Sequence, residues 1–219
     1  MKIRLLAFAA LTALTTSALA APIDWNTWTS STAGSISTSG GPIAVTFAGP
    51  PVNLVAGYPS YTPGSTFADG TIVDNAPLPS NNILQLVGGS TALNTVTFAS
   101  AVVDPVMAIW SLGQGGINAQ FAFTNATPVF VSGGPSAEYG GPAITVVGNT
   151  VFGSEGNGTV QFLGTYTSIS WTNPVYENWY GFDVGIAGVA NPVPEPETYA
   201  LMLAGLGGLG FVARRRRRA

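Results

Sequence analysis

Asn94-Thr95-Val96-Thr97-Phe98 and Gly158-Thr159-Val160-Gln161-Phe162 are the two stretches in which polar and apolar side chains alternate most regularly. A period of two sends successive side chains to opposite faces of a strand. Each stretch is therefore predicted to bury one face and wet the other. Around them lie more short β-branched or aromatic runs, at 23–29, 43–47, 83–87, 106–110, 119–123, 129–131, 143–147, 168–172 and 180–186. Turn signals separate these runs: Gly40-Gly41-Pro42, Gly88-Gly89-Ser90, Gly113-Gln114-Gly115-Gly116, Gly133-Gly134-Pro135, Gly140-Gly141-Pro142 and 153–158. No window here sustains a helical period. Ten or more short strands with frequent turns predict an all-β fold, an antiparallel β-sandwich of jelly-roll-like form over residues 21–191. The least regular stretch, 58–80, holds Pro59, Pro63, Pro77 and Pro79 and reads as a long loop packed on the sandwich.

Charge is segregated to the ends. All seven cations lie there, Lys2 and Arg4 at the start and Arg214, Arg215, Arg216, Arg217 and Arg218 at the finish. Residues 21–193 hold eight acids and no Lys, Arg or His, a net charge of −8. Without cations the domain cannot neutralise phosphates, which excludes nucleic acid as a partner. Cysteine is absent, which removes disulfides, thiolate metal sites and cysteine nucleophiles.

Both ends read as sorting signals. Residues 1–20 have the form of a secretory signal peptide: Lys2 and Arg4, an apolar run from Leu5 to Leu14, then Ala18-Leu19-Ala20. Signal peptidase is expected to cut between Ala20 and Ala21, because a later cut would place Leu19 at −3 and Pro22 at +1. At the other end, Val193-Pro194-Glu195-Pro196-Glu197 precedes an apolar stretch of 16 residues, 198–213, and then the arginines. As a helix the stretch would reach about 24 Å, and snorkelling arginines would extend it. The arginines should stay cytoplasmic and leave the preceding domain across the membrane.

This C-terminal order resembles the PEP-CTERM sorting domain, also labelled "ice-binding protein, C-terminal". The resemblance covers 192–219. It implies Pro194, Glu195 and Pro196 as the recognition motif of an exosortase and Arg214 to Arg218 as the stop signal. It also implies a transient membrane helix, delivery to the cell surface or beyond, and a Gram-negative host that makes exopolysaccharide. The stretches 107–116 and 168–182 are similar to cores of other PEP-CTERM proteins without assigned activity. Gly205-x-Gly207-x-x-Gly210 matches a dinucleotide-binding glycine pattern, but lies in the apolar segment with no following helix and acid, so no cofactor is expected.

Catalysis of the Ser-His or Ser-Lys type is excluded by the missing His and Lys. Glycoside hydrolysis by two carboxylates would need two acids converging in a cleft. Glu138, Glu155 and Glu177, each beside Gly or an aromatic residue, are the candidates. Structural Ca²⁺ could draw ligands from 69–75 or 154–158, although such text more commonly makes turns. The aromatic group Trp171, Tyr176, Trp179, Tyr180 and Phe182, with Asn173 and Asn178, offers either a sugar-stacking platform or core packing. The expected function is a non-catalytic surface or matrix protein associated with exopolysaccharide and biofilm. A lectin-like module and a carboxylate-pair hydrolase are the alternatives.

Overall fold

The computed structural model describes residues 22–190 except Pro51 and Pro59, together with Leu206. The signal peptide with its Ala20–Ala21 cut, the Pro194-Glu195-Pro196 motif, the apolar stretch as a whole and the arginine cluster lie outside the described residues. Among the described residues no helix is long and apolar enough to cross a membrane.

Those residues form fifteen strands. They are β1 (Asp24–Trp28), β2 (Ala33–Thr38), β3 (Gly41–Ala48), β4 (Asn53–Val55), β5 (Ile83–Leu86), β6 (Ser90–Val103), β7 (Val106–Leu112) and β8 (Ala119–Phe123). They continue with β9 (Pro128–Gly133), β10 (Thr145–Val147), β11 (Thr150–Gly153), β12 (Gly156–Phe162), β13 (Thr165–Asn173), β14 (Tyr180–Ile186) and β15 (Gly188–Val189). One short helix, α1 (Gly64–Phe67), and a 3-10 turn at Pro79–Asn81 interrupt them. Every strand pairing is antiparallel, as the alternating patterns predict.

Two layers face each other, and β1 belongs to both. Asp24 and Trp25 pair with Ile186 and Gly185 of β14, while Asn26 to Trp28 pair with β2. From β1 one layer runs β2-β3-β6-β13-β8-β11-β10, and the other β14-β7-β12-β9. Short β5 joins β14 on the edge that β1 leaves free, and β4 extends it. A bridge between Ala143 and Asn157 brings the two far ends together, so the continuous sheet nearly closes into a barrel.

The main core fills the space between the layers. Trp28, Val45, Phe47, Phe98, Phe121 and Trp171 of the first layer meet Ile109, Phe162, Tyr180 and Phe182 of the second. Edge-on ring contacts tie the layers together, Trp171 to Phe182 at 5.2 Å and Phe123 to Phe162 at 4.9 Å. This geometry suits the ring quadrupole.

A second core lies on the outer face of the second layer. There Ile23, Trp25, Ile83, Val106, Ala108 and Trp110 are covered by Tyr61, Phe67 and Val73 from the segment between β4 and β5. That segment supplies the cover through α1 and its flanking turns. On β14 the covered positions are Gly181, Asp183 and Gly185, and the glycines make room for neighbouring side chains. A Cβ at Gly181 would lie 2.3 Å from Ile83 Cγ2.

The cover corrects one expectation. In Asn94–Phe98 the faces divide as predicted, with Val96 and Phe98 inside and Thr97 exposed. In β12 every residue is buried, including Thr159 and Gln161. Thr159 Oγ1 donates to the Phe67 carbonyl at 2.7 Å, so its polar face is satisfied by α1 instead of water.

Candidate functional site

Where β7 ends and β12 begins, their register slips between Gly156 and Gly158. The slip is a bulge, a device that re-aims side chains. Two non-glycine residues beside it sit in the left-handed region, Ser111 at φ 55° and Glu155 at φ 59°. Such conformations cost about 1–3 kcal/mol each and persist where their surroundings hold them. The holder here is Asn157, itself fully buried. Its Oδ1 accepts from the Ser111 amide at 2.8 Å, and its Nδ2 donates to the carbonyls of Gly140 and Glu155 at 2.9 and 3.0 Å. Ser111 Oγ then donates to Glu155 Oε2 at 2.8 Å. Gly113 makes the close approach required: a Cβ there would lie 2.1 Å from the Gly153 carbonyl oxygen.

The loop before β14 brings the second acid. Glu177 is buried, and its Oε1 accepts from the Trp179 amide at 2.8 Å. Its Oε2 is shielded from solvent without a hydrogen-bond partner. Its own carbonyl accepts from the Gly88 amide at 2.8 Å, which pins the loop to β5. Burial pushes the Glu177 carboxyl up, the Trp179 amide pulls it back, the charge of Glu155 pushes it up again, and the nearby amides of Gly113 and Asn178 temper the rise, which ends at about 7.

Together these residues line a pocket of about 190 Å³, formed by Ser111, Gln114, Tyr139, Glu155, Glu177, Asn178 and Trp179. An aromatic wall stands behind it. Buried Trp110 meets Trp179 edge-on at 4.7 Å and Tyr139 at 5.3 Å. Tyr139 is 48% exposed and Trp179 half-buried, so both rings remain partly open to solvent. Glu138 is also at this end but is occupied elsewhere, accepting from the Tyr58 hydroxyl.

The pocket lies far from where the chain enters and leaves the domain. Along β14, Gly181 stands opposite Trp110 beside the pocket, while Ile186 stands opposite Asp24. Five strand steps separate them, about 17 Å. Ala190 follows β15 and donates its amide to Ala101 near the far end of β6.

The predicted sugar-stacking group does not assemble. Trp171 and Tyr180 are fully buried, because strand alternation turns both into the main core, with Phe182. Asn173 is buried too, accepting from Trp171 Nε1 and Asn94 Nδ2 and donating to the Gln120 carbonyl. Tyr176 is exposed beside Gly89, outside the pocket lining. Of the five aromatic residues in that group, Trp179 alone lines the pocket. Tyr139, Ser111 and Gln114 carry no site signal in the sequence: they sit in or beside glycine-rich turns, and Ser111 and Gln114 stand out only as part of the 107–116 resemblance.

The two stretches considered for Ca²⁺ have other uses for their oxygens. Burial raises the Asp69 carboxyl, but the Thr71 hydroxyl and the amides of Val73, Ile72 and Thr71 outweigh it and bring it to about 2. Asp69 thus closes its own turn. Among the described residues no group of three or more acids gathers. A different buried acid, Asp183, accepts from Asn26 Nδ2 at 3.4 Å under the outer cover, and burial pushes its carboxyl well above the usual range.

No curated protein and no solved structure matches the chain. A family model does match its end: residues 192–218 fit the PEP-CTERM protein-sorting motif. The β-barrel-like domain is thus followed directly by this motif, and the chain is a PEP-CTERM sorting-domain-containing protein, exported and processed by an exosortase.

Proposed function

We propose that the exported domain serves at the cell surface or in the extracellular matrix as a non-catalytic, lectin-like binder of exopolysaccharide, and so as a biofilm component. The observation that carries this reading is the pocket itself. Two partly open rings, Tyr139 and Trp179, stand beside hydrogen-bonding groups from Gln114, Asn178 and Glu155. Aromatic faces with a few polar groups are what a sugar ring needs, since one face is apolar and its rim is hydroxylated. The position supports it as well, because the pocket is at the pole away from Ala190, where the described domain ends.

Two carboxylates in one pocket also raise glycoside hydrolysis. A general acid must come within hydrogen-bond reach of the glycosidic oxygen. Glu177 Oε2 is shielded from solvent and Glu177 Oε1 is taken by the Trp179 amide. That arrangement favours binding over proton transfer.

The test is oligosaccharide binding by the full-length chain in detergent, on a panel of immobilised glycans. Binding should occur and should fall sharply in Tyr139→Ala, whose ring is at the surface and whose loss should leave the fold intact. Unchanged binding in both Tyr139→Ala and Trp179→Ala, or no binding at all, would overturn the proposal.

A further inference from the structure

We propose that the pocket selects glycans bearing free amino groups, with the sugar's ammonium held between the Glu155 carboxylate and the Tyr139 and Trp179 rings. This rests on the sugar-binding reading above and specifies its ligand.

Three observations converge on a cation. Glu155 is half-buried at the pocket and uses Oε2 for the Ser111 hydroxyl, and no hydrogen bond among the described residues occupies Oε1. Behind it Glu177 contributes a second carboxylate whose Oε2 is buried and unpartnered. A buried carboxylate with one oxygen unpartnered is costly to ionise unless a counter-charge stands nearby. Within residues 21–193 no Lys, Arg or His exists to supply that charge. The ligand is therefore the natural source of it.

The rings act in the same direction. A cation over the face of Trp or Tyr is attracted by the ring quadrupole, and more strongly where water is displaced. Tyr139 and Trp179 stand at 6.0 Å and 67° to one another, forming two walls of a corner rather than one flat platform. A corner of rings closed by a carboxylate fits a compact ammonium better than it fits an extended neutral sugar face alone. The field of the whole domain, at −8, adds a long-range term that draws cationic polymers and repels uronate or phosphate-bearing ones.

The experiment compares three probes on the full-length chain in detergent: a glucosamine oligomer, its fully N-acetylated counterpart and a glucose oligomer. Tryptophan fluorescence reports binding, since Trp179 lines the pocket. The glucosamine oligomer should bind about tenfold or more tightly than the other two, and Glu155→Gln should erase that preference. The preference should also shrink as salt rises from low to physiological ionic strength. Glu177→Gln gives a second variant, expected to reduce the preference while leaving the pocket's rings in place. Equal affinity for all three probes, or a preference untouched by both variants, overturns the inference and leaves sugar binding standing. Failure of all three probes overturns the sugar-binding reading itself. Displacement of the glucosamine oligomer by millimolar Ca²⁺, lost in Glu155→Gln, would support a cation-seeking site.

Discussion

The two layers use strands of similar chemistry and treat water differently. In the first layer β3 alternates strictly, with Ile43, Val45 and Phe47 inside and Pro42, Ala44, Thr46 and Ala48 outside. In the second, β7, β12 and β14 bury every residue. The cause is the segment between β4 and β5, which lays Tyr61, Phe67 and Val73 over the outer face. Among the described residues the outer face of the first layer is thus left to solvent, and the pocket forms at the rim of the covered layer, where cover and loops meet. A layer held on both faces can keep the strained backbone at Ser111 and Glu155 in place, because a rigid surrounding is what stored strain requires.

Removing the cover should have the largest effect. Phe67 is fully buried and meets Tyr61 edge-on at 5.2 Å. Phe67→Ala is expected to destabilise the domain by about 3–5 kcal/mol, the usual range for a buried Phe that leaves a cavity. Denaturant unfolding measures it. A loss below about 1 kcal/mol, near the centre of ordinary substitutions, would mean that the cover is not part of the cooperative fold.

The layers also differ in charge. Among the described residues the buried acids are Glu177 and Asp183, one just before β14 and one on it. Glu177 has a folded pKa of about 7 against an ordinary value of 4.5. Between those values the folded state holds a proton that the unfolded state has shed. The contribution of Glu177 to stability is therefore fully present at and below about pH 4.5 and is lost as pH rises through about 7. Asp183, also raised, adds to the same slope. Asp69 works oppositely and lower, its contribution being lost as pH falls from about 3.8 to about 2. Melting temperature against pH should fall across 4.5–7 in the wild type and fall less in Glu177→Gln. A profile that rises with pH over that window contradicts the assignment.

Much of the first layer was legible because one-sided burial writes a period of two into the chain. The bounds of β8 coincide with the predicted run 119–123, and those of β14, in the covered second layer, coincide with the apolar run 180–186. β2 leaves little trace in the sequence because Ala33-Gly34-Ser35-Ile36-Ser37-Thr38 carries one large apolar residue, and its pairing is set by neighbours. Gly34 is needed there, since a Cβ would lie 2.5 Å from Asn26 Oδ1. The site was less legible for a related reason. Trp171 and Tyr180 look alike with Trp179 in sequence, and strand alternation alone decides which rings turn inward. Glu155 and Glu177 are 22 positions apart, and their meeting depends on long-range pairing of β7 with β12 and β14.

The smallest expected effect is the sharpest test of the comparison. Thr97 on β6 and Thr159 on β12 both lie on the polar side of their alternating patterns, each next to a valine, Val96 or Val160. Thr97 is exposed, and its strand neighbours there, Thr46 and Ser168, are polar as well. Thr97→Val exchanges one β-branched residue for another on a wet face, so stability should change by no more than about 0.5 kcal/mol. Thr159→Val keeps the same shape but removes the hydroxyl that donates to the Phe67 carbonyl in a dry interface. Losing that donor should cost about 1–3 kcal/mol, because the acceptor stays buried. Paired unfolding curves for the two variants would separate cover from strand chemistry. If both substitutions proved neutral, α1 would be resting on β12 without excluding water, and the second layer would be as wet as the first.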